Sequence, residues 1–153
     1  MSEPRPRLPN PVHARKRARR LALQALYQWQ VAGQDLKDID RQFREEQDLS
    51  LVDVAYFHEL LHNIPTNLDR IDYSFEGLVD RPVNEIDPVE RAILRIGVYE
   101  LLYKPEIPYR VILDEAISLA KTFGASESHR YVNAALDKAA RNLRAVEVDA
   151  DHR

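Results

Sequence analysis

The sequence has no cysteine and only four glycines among its 153 residues. Without cysteine there can be no disulfides, thiolate metal sites or thiol nucleophiles, and the cytoplasm is the expected compartment. Four scattered glycines build no phosphate-cradling loop, and the dinucleotide fingerprint and nucleophile elbow are missing as well. No apolar run approaches a membrane span, and no apolar stretch of signal-peptide type follows the charged N-terminus, so a soluble, unprocessed protein without a membrane partner is expected. Runs of β-branched residues are few, whereas Ala, Leu, Glu and Arg abound. That balance favours an all-α fold, and the length suits one compact domain with a proper core.

The formal net charge of −3 hides an asymmetry. Residues 1 to 20 hold seven bases (Arg5, Arg7, Arg15, Lys16, Arg17, Arg19, Arg20) against Glu3, a local charge of +6, so the other 133 residues carry −9. One end of the molecule is suited to an anionic partner, while the acidic remainder limits indiscriminate binding of nucleic acid.

Four prolines in residues 1 to 11 predict a disordered tail ahead of a helical domain over 12–145, with 146–153 frayed. In "ARKRARRLALQALYQWQ", Ala18, Leu21, Ala22, Ala25, Leu26 and Trp29 form one apolar stripe at helical spacing that ends near Gly33. Asp35 caps a short helix through about Glu46, and a third helix is expected from Leu51 until Pro65 ends or kinks it, with a continuation through Leu68, Ile71 and Phe75. "IDPVERAILRIGVYELLY" opens with Asp87 as N-cap and Pro88 at the first helical position, and its apolar residues run nearly all round, as in a central helix. Further helices are expected from Tyr109 to Phe123, stopped by Gly124, and from about Ser126 onward.

Three segments are candidates for chemistry. "HELLH" places His58 and His62 at i, i+4 with Glu59 between them, the pattern of a zinc-dependent hydrolase in which Glu59 activates a metal-bound water. No third ligand or substrate cleft is visible in the sequence, so core and surface histidines are the favoured reading, with no metal or other cofactor. The five bases from Arg15 to Arg20 oppose the positive end of their own helix dipole and repel one another, a structural cost that phosphate contacts would offset. Gln24 and Tyr27, one and two turns on, can add base contacts or stacking. In "GASESHRYVNAALDKA", small residues free backbone N–H groups at a helix start, and Arg130, Tyr131 and Asn133 supply charge, a ring and an amide. Within the central helix, Arg95 and Glu100 sit among apolar neighbours, either buried with partners or surfacing at an interface.

The blocks "ARKRARRLALQALYQWQ", "EQDLSLVDVAYFHELL", "VERAILRIGVYEL" and "IPYRVILDEAISLAKTFGASESHRYVNAALDKAA", in that order, resemble the NusB family of bacterial transcription antitermination factors over about residues 14 to 140. The resemblance implies about seven helices in two small packed bundles and a noncatalytic role. It implies binding of single-stranded boxA RNA in nascent ribosomal RNA transcripts, together with the ribosomal protein NusE, on the RNA polymerase antitermination complex. On the family pattern, RNA maps to Arg15, Lys16, Arg17, Arg19, Gln24, Tyr27, Glu127, Arg130 and Tyr131, and the protein partner to Glu90 and Arg95. Glu127 stands where relatives often have Asp, and Tyr131 where they have Phe. A related module occurs fused to RNA methyltransferases, but no segment for a methyl donor follows here, so that class is not expected. The sequence leaves self-association into a homodimer open.

Overall fold

Asn10 and Pro11 start the first helix. The Asn10 side chain accepts the Val12 N–H at 2.9 Å, and Pro11 fills the first helical position, where an N–H has no partner to meet. The expected tail over 1–11 therefore overruns the helix boundary. The computed structural model describes residues 10–152, and the rest of that tail lies outside them. Helix α1 (Pro11–Ala32) ends at Gly33, whose φ of 65° lets its N–H reach the Trp29 carbonyl at 2.9 Å. The apolar stripe packs as its spacing predicts: Ala18, Leu21, Ala22, Ala25 and Leu26 are buried, and Trp29 lies partly buried against them.

Asp35 caps α2 (Leu36–Glu46) by accepting the Lys37 N–H at 2.8 Å. Helix α3 (Val54–Thr66) starts later than its apolar pattern suggests, because Asp53 takes the cap position by accepting from the Tyr56 N–H, and Leu51 is left exposed ahead of it. Pro65 falls in the last turn of α3, and Ile71 and Phe75 belong to a separate α4 (Leu68–Glu76). After a 3-10 turn at Val83–Glu85, the Asp87 carboxylate accepts the Val89 and Glu90 N–H groups at the start of α5 (Pro88–Tyr103). Every residue of α5 from Ala92 to Leu101 is buried, so it is the central helix. Helices α6 (Tyr109–Phe123), α7 (Ser128–Leu143) and α8 (Ala145–Asp151) follow.

Helices α1, α2 and α3 pack together, α4, α6 and α7 gather around α5, α8 lies against α7, and α5 lies along α1 to join the two groups into one core. The fold is thus all-α, with eight helices rather than about seven among the described residues. The extra helix, Ala145–Asp151, occupies most of the end expected to fray over 146–153, of which residue 153 lies outside the described residues. Val148 is buried, and Arg144 explains why the chain stays docked. Its guanidinium donates to the carbonyls of Leu101, Ile107, Glu100 and Lys104 at 2.9, 3.1, 3.2 and 3.0 Å, satisfying the orphan end of α5, and pairs with Glu147 at 2.7 Å. Glu147 in turn accepts the Tyr109 N–H at 2.9 Å, which serves the uncapped start of α6. No described helix is long and apolar enough to cross a membrane.

Candidate nucleic-acid interface

The bases of α1 divide according to the faces that the helix gives them. Arg19 points inward with the apolar stripe and is only 4% exposed. Its Nε lies 3.2 and 2.9 Å from the two oxygens of Glu100 on α5, and its Nη2 lies 2.9 Å from Oε2. The Tyr56 hydroxyl donates to the same carboxylate, and Glu115 stands 3.9 Å from Nη1. Burial opposes the charge on Arg19, and Glu100 more than compensates for it. Burial first, and the nearby Glu100 second, push the Tyr56 hydroxyl far above its ordinary pKa. Arg19 is therefore a core residue that ties α1 to α5, and its expected place among the phosphate contacts is corrected.

Its neighbours face outward and are half-buried. The Arg15 guanidinium lies 4.2 Å from the centre of the Tyr56 ring, a cation–π contact that holds the side chain flat on the surface. Lys16 pairs loosely with Glu115 at 3.5 Å, Arg17 reaches to 3.5 Å from the Leu51 carbonyl, and Arg20 is exposed. One and two turns on, Gln24 and Tyr27 are exposed as well, Tyr27 at 41%. They open into a groove of about 480 Å³ whose other walls are Val31, Phe43, Val89 and Phe123. This groove brings α1 beside the beginning of α5 and the end of α6.

The second predicted segment begins where that wall ends. Gly124, next to Phe123, has an extended backbone (φ −92°, ψ 175°), so it does not stop α6 by a left-handed turn. What selects glycine is space: a Cβ there would lie 2.7 Å from Ser128 Cβ and 2.8 Å from the Ala120 carbonyl oxygen. On the first turns of α7, Glu127 and Arg130 form an exposed ion pair at 3.3 Å, an interaction easily exchanged for another partner. Tyr131 is half-buried, with the Arg81 guanidinium 5.2 Å from its ring centre and its hydroxyl oxygen buried without a protein partner among the described residues. Glu90, the residue after Val89, is half-buried in the same corner. Burial and the charge of Asp87 raise its pKa, while Arg81 and Ser128 favour its charged form. Arg81 and Phe123 thus belong to the site, although no sequence pattern singled them out.

Arg95 is not at this surface. It is 8% exposed, gives Asp72 of α4 a two-pronged ion pair at 3.0 and 2.9 Å, and donates to Gln30 at 2.9 Å. Its expected role as a partner contact is corrected: it fastens α4 and α1 to α5. The alternatives left open for Arg95 and Glu100 resolve in favour of burial with partners.

The zinc-hydrolase pattern does not assemble. His58 and His62 share one face of α3, but Glu59 turns away to accept the Tyr99 hydroxyl at 2.7 Å and pair with Lys104 at 3.2 Å. A general base held there cannot reach a water between the imidazoles. Asp40 of α2, which the sequence did not connect with them, lies 2.8 Å from both His58 Nδ1 and His62 Nε2.

Residues 16–141 match the model of the NusB family. The transcription antitermination protein NusB of Nitrosococcus oceani is 56% identical over 133 residues, covering 87% of this chain and 89% of that one. That of Legionella pneumophila is 47% identical over 141 residues, covering 92% and 96%. The solved structure of T. maritima NusB superimposes with a TM-score of 0.70 at 29% identity and covers 92% of this chain and 93% of that one.

Proposed function

This chain belongs to the NusB family, and on that premise we propose that it is a noncatalytic transcription antitermination factor. In this reading it binds single-stranded boxA RNA of nascent ribosomal RNA transcripts together with NusE, as part of the RNA polymerase antitermination complex. One observation carries the reading for this molecule: the outward bases of α1 continue through Gln24 and Tyr27 into the groove that Val89 and Phe123 close, beside Glu90 and the start of α7. Charge, amide and aromatic groups from distant parts of the sequence there share one surface, the combination that a flexible single strand needs.

Arg15, Lys16 and Arg17 take phosphates, Lys16 exchanging its long contact with Glu115 for a stronger one. Gln24 and Tyr27 meet bases at the groove, and Glu127, Arg130 and Tyr131 extend the strip onto α7. Glu90, at the junction, faces NusE. Arg19 and Arg95 act as positioning residues, because they set the spacing of α1 and α4 against α5 without touching either ligand. The acidic body leaves a narrow positive strip, so RNA held also by a bound protein gains a second contact that is effectively intramolecular.

The test is a pair of titrations, boxA RNA with and without saturating NusE, and NusE with and without saturating RNA. Each ligand is expected to tighten the other by the same factor, a coupling of about 1 to 3 kcal/mol. Glu90→Lys reduces the coupling more than it reduces binding of RNA alone. Equal affinities in the presence and absence of the second ligand contradict the reading.

A further inference from the structure

The Asp40, His58 and His62 cluster lies on α2 and α3 and takes no part in the surface described above. Two features make it more than a pair of surface histidines. Both imidazoles aim a nitrogen at the same oxygen, Asp40 Oδ2, at 2.8 Å each, and the three donor atoms all lie within 4.8 Å of one another. The other oxygen, Oδ1, accepts from Arg44 Nε at 2.7 Å. An open depression lined by these residues with Lys37, Arg41 and Glu45 gives solvent direct access to the donors.

We propose that Asp40, His58 and His62 form a three-ligand site for a divalent cation of the zinc, nickel or copper class, which would staple α2 to α3. Two imidazoles and a carboxylate suit these ions and not calcium or magnesium, which prefer all-oxygen shells. Tetrahedral coordination with bonds of about 2.0 to 2.1 Å spaces its donors by about 3.3 Å. The two spacings of 2.8 Å to Asp40 Oδ2 open to that value by about half an ångström, which the half-exposed His58 ring permits, and the spacing between the two imidazole nitrogens, within 4.8 Å, settles at the same value. Each neutral imidazole binds the ion through the nitrogen that now faces Oδ2 and carries its proton on its other ring nitrogen, and water fills the fourth position. Because Glu59 is engaged with Tyr99 and Lys104 on another face of α3, the site holds an ion without hydrolytic chemistry. The Arg44 guanidinium, 3.3 Å from His58 Nδ1, must swing aside and its charge opposes the cation. The bound ion therefore exchanges with solvent and is not permanently held.

The experiment is isothermal titration of zinc chloride into full-length, metal-free protein carrying no histidine tag, paired with thermal unfolding. The expected result is one zinc ion per chain and a rise in Tm, with His58→Gln weakening binding by at least about tenfold, as loss of a ligand must cost at least what loss of a second-shell partner does. Substituting Gln for His13, His129 and His152 leaves the affinity unchanged. A measurement on the unaltered protein accompanies the variants: zinc shifts the imidazole NMR signals of His58 and His62 and not those of the other three histidines. No saturable zinc binding, binding retained in a folded His58→Gln protein, or shifts confined to other histidines overturns the proposal.

Discussion

Arg19 on α1 and Glu100 on α5 meet across the centre of the molecule, guanidinium against carboxylate at 2.9 Å, with the Tyr56 hydroxyl closing the third side. The pair is almost fully buried, so neither charge can turn to water if its partner is lost. Arg19→Ala and Glu100→Ala are each expected to lower the unfolding free energy by about 3 to 5 kcal/mol, while a joint replacement by apolar residues of similar volume, Arg19→Met with Glu100→Leu, costs much less than the sum. Urea denaturation at neutral pH reads all three. A folded Arg19→Ala protein within 1 kcal/mol of wild type, on the scale at which ordinary surface substitutions fall, contradicts the assignment of Arg19 to the core.

Arg144 gives a second stability prediction. It serves four carbonyls around the end of α5 and anchors Glu147, so Arg144→Ala is expected to cost about 3 kcal/mol and to loosen α8, seen as faster hydrogen exchange from Ala145 to Asp151. Burial raises the Glu147 pKa, but the Tyr109 N–H and Arg144 outweigh it and hold the group below its ordinary 4.5. A depressed carboxylate contributes stability above its unfolded pKa and loses it as pH falls through the folded value. The stability gap between wild type and Glu147→Gln should accordingly be constant from pH 7 to about 5 and narrow below about 4.5. A gap that widens in acid would show the sign to be wrong.

Tyr131 separates packing from recognition. Its hydroxyl oxygen is buried without a protein partner among the described residues, so Tyr131→Phe removes no hydrogen bond to them and keeps the ring under Arg81. Stability should be unchanged or higher by up to about 1 kcal/mol, and RNA affinity unchanged if the ring alone is used. Tyr131→Ala, by contrast, should weaken RNA binding by about 1 to 3 kcal/mol if a base stacks there. A Tyr131→Phe protein destabilised by more than 1 kcal/mol would contradict this placement of the hydroxyl.

Much of the fold could be read from local chemistry. Asp35, Asp87 and Pro88 mark helix starts because a cap is a contact within four residues, and the stripe from Ala18 to Trp29 marks a buried face because helical spacing is itself local. The C-terminal helix was hidden for the converse reason. What holds α8 down is Arg144 reaching carbonyls about 40 residues earlier, and no pattern near residue 145 announces such a partner. The same holds at the interface. Five bases within six residues look alike in sequence, but Arg19 shares the inward face with Ala18 and Ala22, and only the position of Glu100 some 81 residues away shows that its charge is neutralised there. Asp40 lies 18 and 22 residues from the two histidines it joins, so the i, i+4 pair was legible and its third member was not.

The central claim is that the outward bases of α1 grip RNA while the inward one holds the fold. Fluorescence anisotropy of a labelled boxA RNA, titrated from low to moderate salt, tests it on wild type, on the triple variant Arg15→Ala, Lys16→Ala, Arg17→Ala, and on the salt-bridge replacement Arg19→Met with Glu100→Leu. Three phosphate contacts to a single strand give a slope of about −2 for log affinity against log salt. The account predicts that slope for wild type, a clearly shallower slope and much weaker binding for the triple variant with its Tm nearly unchanged, and wild-type slope and affinity for the folded Arg19→Met, Glu100→Leu protein. A triple variant that keeps both the wild-type slope and affinity would contradict it.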